Sequence, residues 1–521
     1  MRALLMNDRP TSPPTRTPWL EIFAAALPAA IHAVVLSGRL HPDEVYQSLE
    51  IGIFKAFGYG IVPWEWQVPP NAATAVQPWG IRNWSVPLLL SVLFKFGDAV
   101  GLSSVWARRL LAEVPQLALH AAMLAAVWRL VARRVSAPAA RIAVWLVALY
   151  APVVWFGGRT MSEAFSVAFL VWGLERLDAR DVKPAWWALG GALLGCAQVA
   201  RYGSAAVILP AMVWLLVERR WKTFAGANVG GLVVALALGA LDFFTWGEWF
   251  HSFIHYVRFN VTSGAAAAQY GASPFWAYLP KLLVAPFAVF GFVLMARERA
   301  WKQPLAIALL LGAAAAGLAW KEHWAAPWLA LVAIAALSVL LLDRAGLQPS
   351  LFVAAAVGYA LIVSATAHKE DRFLYPTLVL LTVAGAPAFA RWALQHRPAA
   401  GLVAALGLVF FVVPTPYDVQ RKEQFQLTRA VASEATGFFI VNEGIWGAPG
   451  FFYLGKNIPW CTCDFPNQGC FQMAARDPRF NRGLYWANGG ETARDAATDA
   501  AFKAAGFHVI EVRGQATLYG R

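Results

Sequence analysis

The stretch "WLEIFAAALPAAIHAVVLSGRLHPDE", Trp19 to Glu44, decides the architecture. Its apolar part, Trp19 to Gly38, is long enough to cross a ~30 Å hydrocarbon layer as a helix rising ~1.5 Å per residue. Two adjacent carboxylates, Asp43 and Glu44, stand where that span ends. Upstream lies a basic flank with Arg2, Arg9 and Arg16. A cleaved signal peptide shares such a flank, but its apolar region is usually shorter, and cleavage near Ser37 would strand "HPDE" at a new terminus. The segment reads as an uncleaved signal anchor behind a cytoplasmic tail, residues 1–18.

The whole chain carries the same signal. Its 521 residues are 59% hydrophobic and only 14% charged, with a mean hydropathy of +0.51, too apolar for a soluble globular protein. Further apolar segments near 105–128, 138–157, 161–175, 185–200, 203–218, 224–244, 279–296, 304–320, 324–342, 349–367, 373–390 and 399–414 predict an α-helical polytopic membrane protein with about 11–13 spans. The net charge of +13 does not indicate nucleic acid, because the cations form short clusters between spans and no continuous patch with interleaved aromatics. They obey the positive-inside rule instead. Loops with Arg129, Arg133, Arg134 and Arg141, with Arg176, Arg180 and Lys183, with Arg219, Arg220 and Lys222, with Arg297, Arg299 and Lys302, with Arg344, and with Arg391 and Arg397 are expected to be cytoplasmic. The 39–104 loop and the tail beyond Pro414 then lie outside, and the membrane domain runs over 19–414.

The first outer loop has structure of its own. Pro42 suits a helix start, and Val45, Leu49, Ile53 and Phe57 recur four apart, which predicts an amphipathic helix lying on the membrane surface. "WSVPLLLSVLFKFGDAVGL", Trp84 to Leu102, reads as a second interfacial or re-entrant helix, since counting it as a span would invert the charge bias of every later loop. Residues 415–521 change character: "TGFFIVNEGIWG" and "FHVIEVRGQATLYGR" read as strands and "TARDAATDAAFKAAG" as a helix ending at Gly506, a small extracytoplasmic α/β domain. Its Cys461, Cys463 and Cys470 suit one disulfide, from Cys470 to either of the others, in preference to a zinc site.

Carboxylates in a first helical turn cap free N–H groups; the same pair held at a membrane surface can also supply a general base. A second cluster bears on the choice. In "SATAHKEDRFLYP", His368, Lys369, Glu370, Asp371 and Arg372 occupy consecutive positions on the outer side, against the charge rule. They read as a solvated turn or as an anion site in which Arg and Lys meet the phosphate of a lipid carrier.

"HPDEVYQSLE" from His41, "WEW" from Trp64, "GIRNWSVP" from Gly80, "GGRTMSEAF" from Gly157, the Asp242 to Tyr278 loop and "HKEDRFLYP" from His368 resemble the family of GPI and asparagine-linked-glycan mannosyltransferases over roughly residues 19–390. The resemblance implies a GT-C membrane fold and transfer of a mannosyl group from a polyprenyl-phosphate sugar to a glycan or glycolipid acceptor on the outer side. It puts the base on Asp43, with Glu44 as runner-up, and the donor phosphate on His368, Lys369 and Arg372. Asp371 stands where many members have a second Glu. His41, Trp64, Glu65, Arg82, Arg108, Arg159, Glu163, Asn260, Tyr270 and Glu370 are candidate substrate contacts.

The chemistry suits these residue types independently. Departure of a sugar from a lipid phosphate needs one carboxylate for the acceptor proton and cations for the leaving group, and an inverting displacement needs only one such base. A monophosphate donor asks little charge neutralisation, and no DxD-like triplet or His/Cys ligand spacing appears in the outer loops, so neither metal nor other cofactor is expected. Arg159 and Glu163, four apart, read as a structural ion pair or as donor contacts; Arg108 as a snorkelling or a phosphate-binding cation; His251 and His255 as part of a packed interfacial helix rather than a metal pair. The Ala/Arg/Trp-rich composition suggests a bacterial source and hence the plasma membrane; a eukaryotic member would occupy the endoplasmic reticulum. The rival class is a transporter or flippase, but such proteins carry ionisable groups at mid-membrane depth and related halves, whereas here the clusters flank the spans. Within the enzyme class the alternative is another lipid-linked sugar.

Overall fold

A computed structural model describes residues 16–36, 38–71, 78–180, 182–278, 350–396, 398, 419–463, 469–488 and 495–521. The predicted spans at 279–296, 304–320, 324–342 and 399–414 lie outside these residues. Eleven membrane-domain helices organise the rest: α1 (Trp19–Val35), α2 (Ser85–Ala99), α3 (Val105–Arg134), α4 (Ala137–Ala148), α5 (Ala151–Gly157), α6 (Ser162–Asp178), α7 (Pro184–Ala200), α8 (Ala205–Val217), α9 (Trp221–Trp246), α10 (Ser350–Ala365) and α11 (Tyr375–Gln395). Among the described residues α3, α9 and the Asp371–Gln395 stretch are long and apolar enough to cross a membrane, and α4 with α5 form a further pair bent by 70°. Leu, Val and Ala side chains of α1, α3, α4, α6, α10 and α11 share one buried core.

Small residues set the closest approach. A Cβ on Gly191 of α7 would lie 1.9 Å from the Ala227 carbonyl oxygen of α9, and one on Gly230 of α9 would lie 1.8 Å from the Ala188 oxygen of α7. Only glycine allows these backbones to touch, the usual way lipid-embedded helices gain dispersion contact.

Ion pairs mark one end of the bundle. Arg129 and Arg133 reach the fully buried Glu175, Arg134 meets Asp178 at 2.6 Å, Arg180 and Arg220 approach Glu218, and Arg141 meets Glu21 at 3.1 Å. The arginines belong to the predicted cytoplasmic loops. Glu163, at the other end of α6, lies ~22 Å away by the helical rise.

The first outer loop folds as three consecutive helical segments, Pro42–Glu44, π-helical Val45–Leu49 and Glu50–Phe57. Its apolar stripe does not rest on bare membrane. Val45, Leu49 and Ile53 bury against Leu90 and Phe94 of α2 and against Phe425, Phe452 and Tyr453 of the tail. Tyr46 donates to the Ala448 carbonyl at 2.8 Å. Glu50, fully buried, accepts from the Ile61 N–H at 2.9 Å and the Phe452 N–H at 2.6 Å, and burial pushes its carboxyl up to about 7 despite those bonds.

The tail domain is a five-stranded sheet in the order β2-β1-β3-β5-β4, built from β1 (Phe438–Val441), β2 (Trp460–Cys463), β3 (Arg482–Trp486), β4 (His508–Arg513) and β5 (Ala516–Gly520). β1 is parallel to β2 and β3, while β5 is antiparallel to β3 and β4. Cys470 lies within bridging reach of both Cys461 and Cys463, with Cα separations of 6.3 and 5.4 Å. An antiparallel bridge between Arg39 and Gln420 ties the domain to the first outer loop.

Candidate active site

Asp43 and Glu44 are neighbours in sequence that face different surroundings. His41 caps their helix, its Nδ1 accepting from the Asp43 N–H at 3.2 Å. Successive helical residues diverge by ~100°, so the two carboxylates part. Glu44 Oε2 accepts from the Leu40 N–H at 2.9 Å and its Oε1 meets Arg159 at 3.3 Å. Arg159, fully buried, also donates to the carbonyls of Gly38 and Leu36. The predicted Arg159–Glu163 pair is therefore replaced: Arg159 holds Glu44 and the turn behind it, and Glu163 turns the other way.

Asp43 meets Arg372 at 2.5 Å across 329 positions of chain. The guanidinium is shared. Its Nε donates to Glu370 Oε2 at 2.6 Å and lies 3.4 Å from Glu163 Oε1. Glu163 in turn receives Arg201 at 2.8 Å. His41 closes the ring, with Nε2 3.1 Å from Glu370 Oε2 and Nδ1 3.3 Å from Asp43 Oδ1. The second contact competes with the cap, because Nδ1 accepts the Asp43 N–H only when it carries no proton of its own. His368 Nε2 holds the other oxygen of Glu370 at 2.9 Å.

These contacts set the charge states. Burial pushes the Asp43 carboxyl up, but Arg372 and His41 outweigh it and hold the group well below the ordinary carboxylate range. Glu370 is likewise driven far down by His41 and Arg372 against the cost of burial. Burial and Arg372 push His41 down, yet Asp43 and Glu370 more than compensate, so its net shift is upward.

On the other side of Asp43, one turn along the same helix, Gln47 donates to Glu65 Oε1 at 3.0 Å. Arg82 reaches the same oxygen at 2.9 Å through Nη2. Trp64, beside Glu65, stacks on Phe259 with centroids 5.0 Å apart, and Tyr270 lies 5.2 Å from the His368 ring. The Asp242 to Tyr278 loop thus covers the cluster.

Three predicted contacts are occupied elsewhere. The Lys369 ammonium donates to the carbonyls of Ser273, at 3.0 Å, and Thr366, tying loops together. Arg108 reaches the Gly455 carbonyl at 3.1 Å and covers the Phe57 ring, joining α3 to the tail domain. Asn260 donates to the Tyr256 carbonyl of its own helix at 3.0 Å. Gln47, Arg201 and Tyr278, whose hydroxyl bonds both the N–H and the carbonyl of Glu370, were not singled out as site residues from sequence. Arg201 had a legible signal, an outward arginine in the turn between the spans 185–200 and 203–218. The Glu248, His251 and His255 ligand atoms lie within 4.8 Å of one another, but His251 pairs with Glu248 and His255 accepts from the Trp79 N–H.

Comparison with known proteins bears on the same region. The model of the Alg9-like mannosyltransferase family matches residues 21–417. Relatives include Mannosyltransferase APTG1 of Arabidopsis thaliana, 26% identical over 295 residues covering 50% of this chain and 48% of that one. GPI alpha-1,2-mannosyltransferase 3 of Danio rerio is 23% identical over 393 residues, 74% of this chain and 62% of that one. The chain therefore spans about half to three fifths of the length of these relatives. Among solved structures, ArnT from Cupriavidus metallidurans bound to undecaprenyl phosphate superposes with a TM-score of 0.54 at 14% identity, covering 97% of this chain and 98% of that one. At that identity the likeness concerns the fold, that of GT-C membrane glycosyltransferases, and it extends through the tail domain.

Proposed function

Because this chain belongs to the Alg9-like mannosyltransferase family, we propose that it transfers a mannosyl group from a polyprenyl-phosphate sugar to a glycan or glycolipid acceptor, at the extracytoplasmic end of the bundle, with inversion. The observation that carries this reading is the Asp43–Arg372 contact, which sets a carboxylate beside a guanidinium shared with Glu370. A displacement at the sugar's anomeric carbon needs that pairing: a base for the incoming hydroxyl proton and a fork for the departing phosphate.

The geometry also orders the events. Without a donor, Asp43 and Glu370 neutralise Arg372, and a carboxylate so paired is a weak base. A donor phosphate offers the guanidinium two oxygens and competes with Asp43 and Glu370 for it. Asp43 then loses its closest cation and gains basicity as the acceptor arrives. His41 and His368, each on Glu370, hold that carboxylate while Arg372 turns to the phosphate. Arg201 and Glu163 fix the far side of the fork. Side-chain cations supply the charge that a monophosphate requires, and the scheme asks for no metal.

The test is incubation of purified protein in vesicles with a panel of polyprenyl-phosphate sugars and total membrane lipid, identifying products by mass. The expected result is a mannosylated glycolipid with stoichiometric release of polyprenyl phosphate. Movement of intact sugar lipid across the vesicle without bond cleavage would replace this reading with transport, and a product carrying a pentose or glucose would change the sugar.

A further inference from the structure

We infer that Trp64, Glu65, Arg82, Gln47 and Tyr270 form a subsite for a neutral pyranose of the acceptor beside Asp43. The inference rests on the proposed transfer reaction and divides its site into two halves.

The first ground is an unfilled fork. Glu65 takes Gln47 and both contacts from Arg82 on one oxygen, Oε1, at 2.9–3.3 Å. Among the described residues Glu65 Oε2 and Arg82 Nη1 have no hydrogen-bond partner. A free carboxylate oxygen and a free guanidinium N–H on one ion pair can accept from and donate to the hydroxyls of a sugar. The Glu65 side chain is 7% exposed and that of Arg82 22%, so the pair is held by its surroundings yet reachable.

The second ground is charge. The Glu65–Arg82 pair is internally neutral, and Asp43 on the same helix face as Gln47 adds a negative field. A phosphate has no net attraction there. The Arg372 half differs in holding two arginines and two histidines among its carboxylates Asp43, Glu163 and Glu370.

The third ground is the aromatic surround. Half-buried Trp64 and half-exposed Tyr270 both pack on Phe259, at 5.0 and 6.5 Å, and Arg82 lies over the Tyr256 ring at 5.9 Å. Exposed rings beside a polar fork offer an apolar face to sugar C–H groups while the fork takes the hydroxyls. Gln47 sits four residues after Asp43, and residues so spaced share a helix face. A sugar gripped by the fork therefore presents its hydroxyl towards Asp43.

The experiment measures binding and kinetics on the full chain. Methyl α-mannopyranoside and the methyl glycosides of glucose and galactose are titrated against wild type by tryptophan fluorescence and by saturation-transfer NMR. Saturable binding is expected for at least one, with affinity about tenfold or more weaker in Arg82→Lys and in Trp64→Leu, the scale of a lost charge-assisted hydrogen bond. In transfer assays the same variants and Tyr270→Ala should raise KM for the acceptor about tenfold while KM for the polyprenyl-phosphate donor moves less than about twofold. Tyr270 is half exposed, so its truncation leaves the fold intact. No pyranoside binding to wild type, or donor KM rising in step with acceptor KM, overturns the subsite. A wild type that binds pyranoside yet never releases polyprenyl phosphate overturns the transfer reading instead.

Discussion

Asp43 and Glu44 show how far one residue step can separate two roles. Asp43→Asn is expected to retain the fold and to lower turnover by roughly two to four powers of ten, the scale of general-base catalysis. Glu44→Gln should act differently, because it strips the buried Arg159 of its carboxylate, a loss of about 3–5 kcal/mol when one partner of a buried pair is removed. Turnover per folded molecule and melting temperature, taken on the same preparations, separate the two; a melting change in Asp43→Asn with full turnover would return Asp43 to capping. A pH dependence follows from the ring around Arg372. Asp43 and Glu370 are depressed below their ordinary values of 3.8 and 4.5. Their stabilisation is thus fully present above those values and is lost as pH falls through the depressed ones. Melting temperature should drop on acidification below about pH 4.5, and Glu370→Gln should start lower and fall less steeply; parallel curves would remove Glu370 from the ring. Sequence drew attention to Asp43 as one of two carboxylates directly after an apolar span, and to Glu370 and Arg372 as part of a charged cluster on an outer loop, and the family resemblance gave them their expected roles. It did not reveal that Lys369 serves two carbonyls, because backbone acceptors leave no mark in residue identity.

Helices and loops were legible to unequal degrees. Among the described residues helix positions followed from hydropathy, since a lipid-facing helix face must be apolar. The surface helix was read from its four-residue stripe, but not its covering, which depends on Phe425, Phe452 and Tyr453, almost 400 positions away. In the tail, the apolar run Phe438–Val441 marked β1, and the stretch from Phe507 marked the strands that became β4 and β5, whereas β2 and β3 were not read. The α7–α9 contact gives an element-scale prediction. Gly191→Ala sets a methyl carbon against the Ala227 carbonyl, so the helices must separate. A loss of about 1–3 kcal/mol is expected from such overpacking, read as a lower melting temperature, with the matching Gly230→Ala equally costly against Ala188. Unchanged melting in both would mean that the helices can part without loss.

For the whole molecule, the bundle has two chemically distinct ends. The arginines at the ends of α3, α6 and α8 gather at one, the Asp43–Arg372 ring at the other, with α6 spanning between Glu163 and Asp178. Cysteines introduced at exposed Gln67 and Ala367, in a background lacking the native four, should react with an impermeant label from the outer face of sealed vesicles. A cysteine at Lys183 should react only after permeabilisation. Gln67 and Ala367 labelling from opposite faces contradicts the contact between their neighbours.

The docking of the first outer loop on the tail has a consequence for the order in which this protein comes into being. Tyr46 and Glu50 find their partners in Ala448 and Phe452, each 402 positions later. At ~5–20 residues per second of synthesis, about 20–80 s pass between the two. During that interval the loop's tyrosine and carboxyl are unmet, and Asp43 awaits Arg372. A nascent chain halted before the tail holds the proposed base without the contacts that Tyr46 and Glu50 make there, so the surroundings of Asp43 are completed only after Phe452 has emerged.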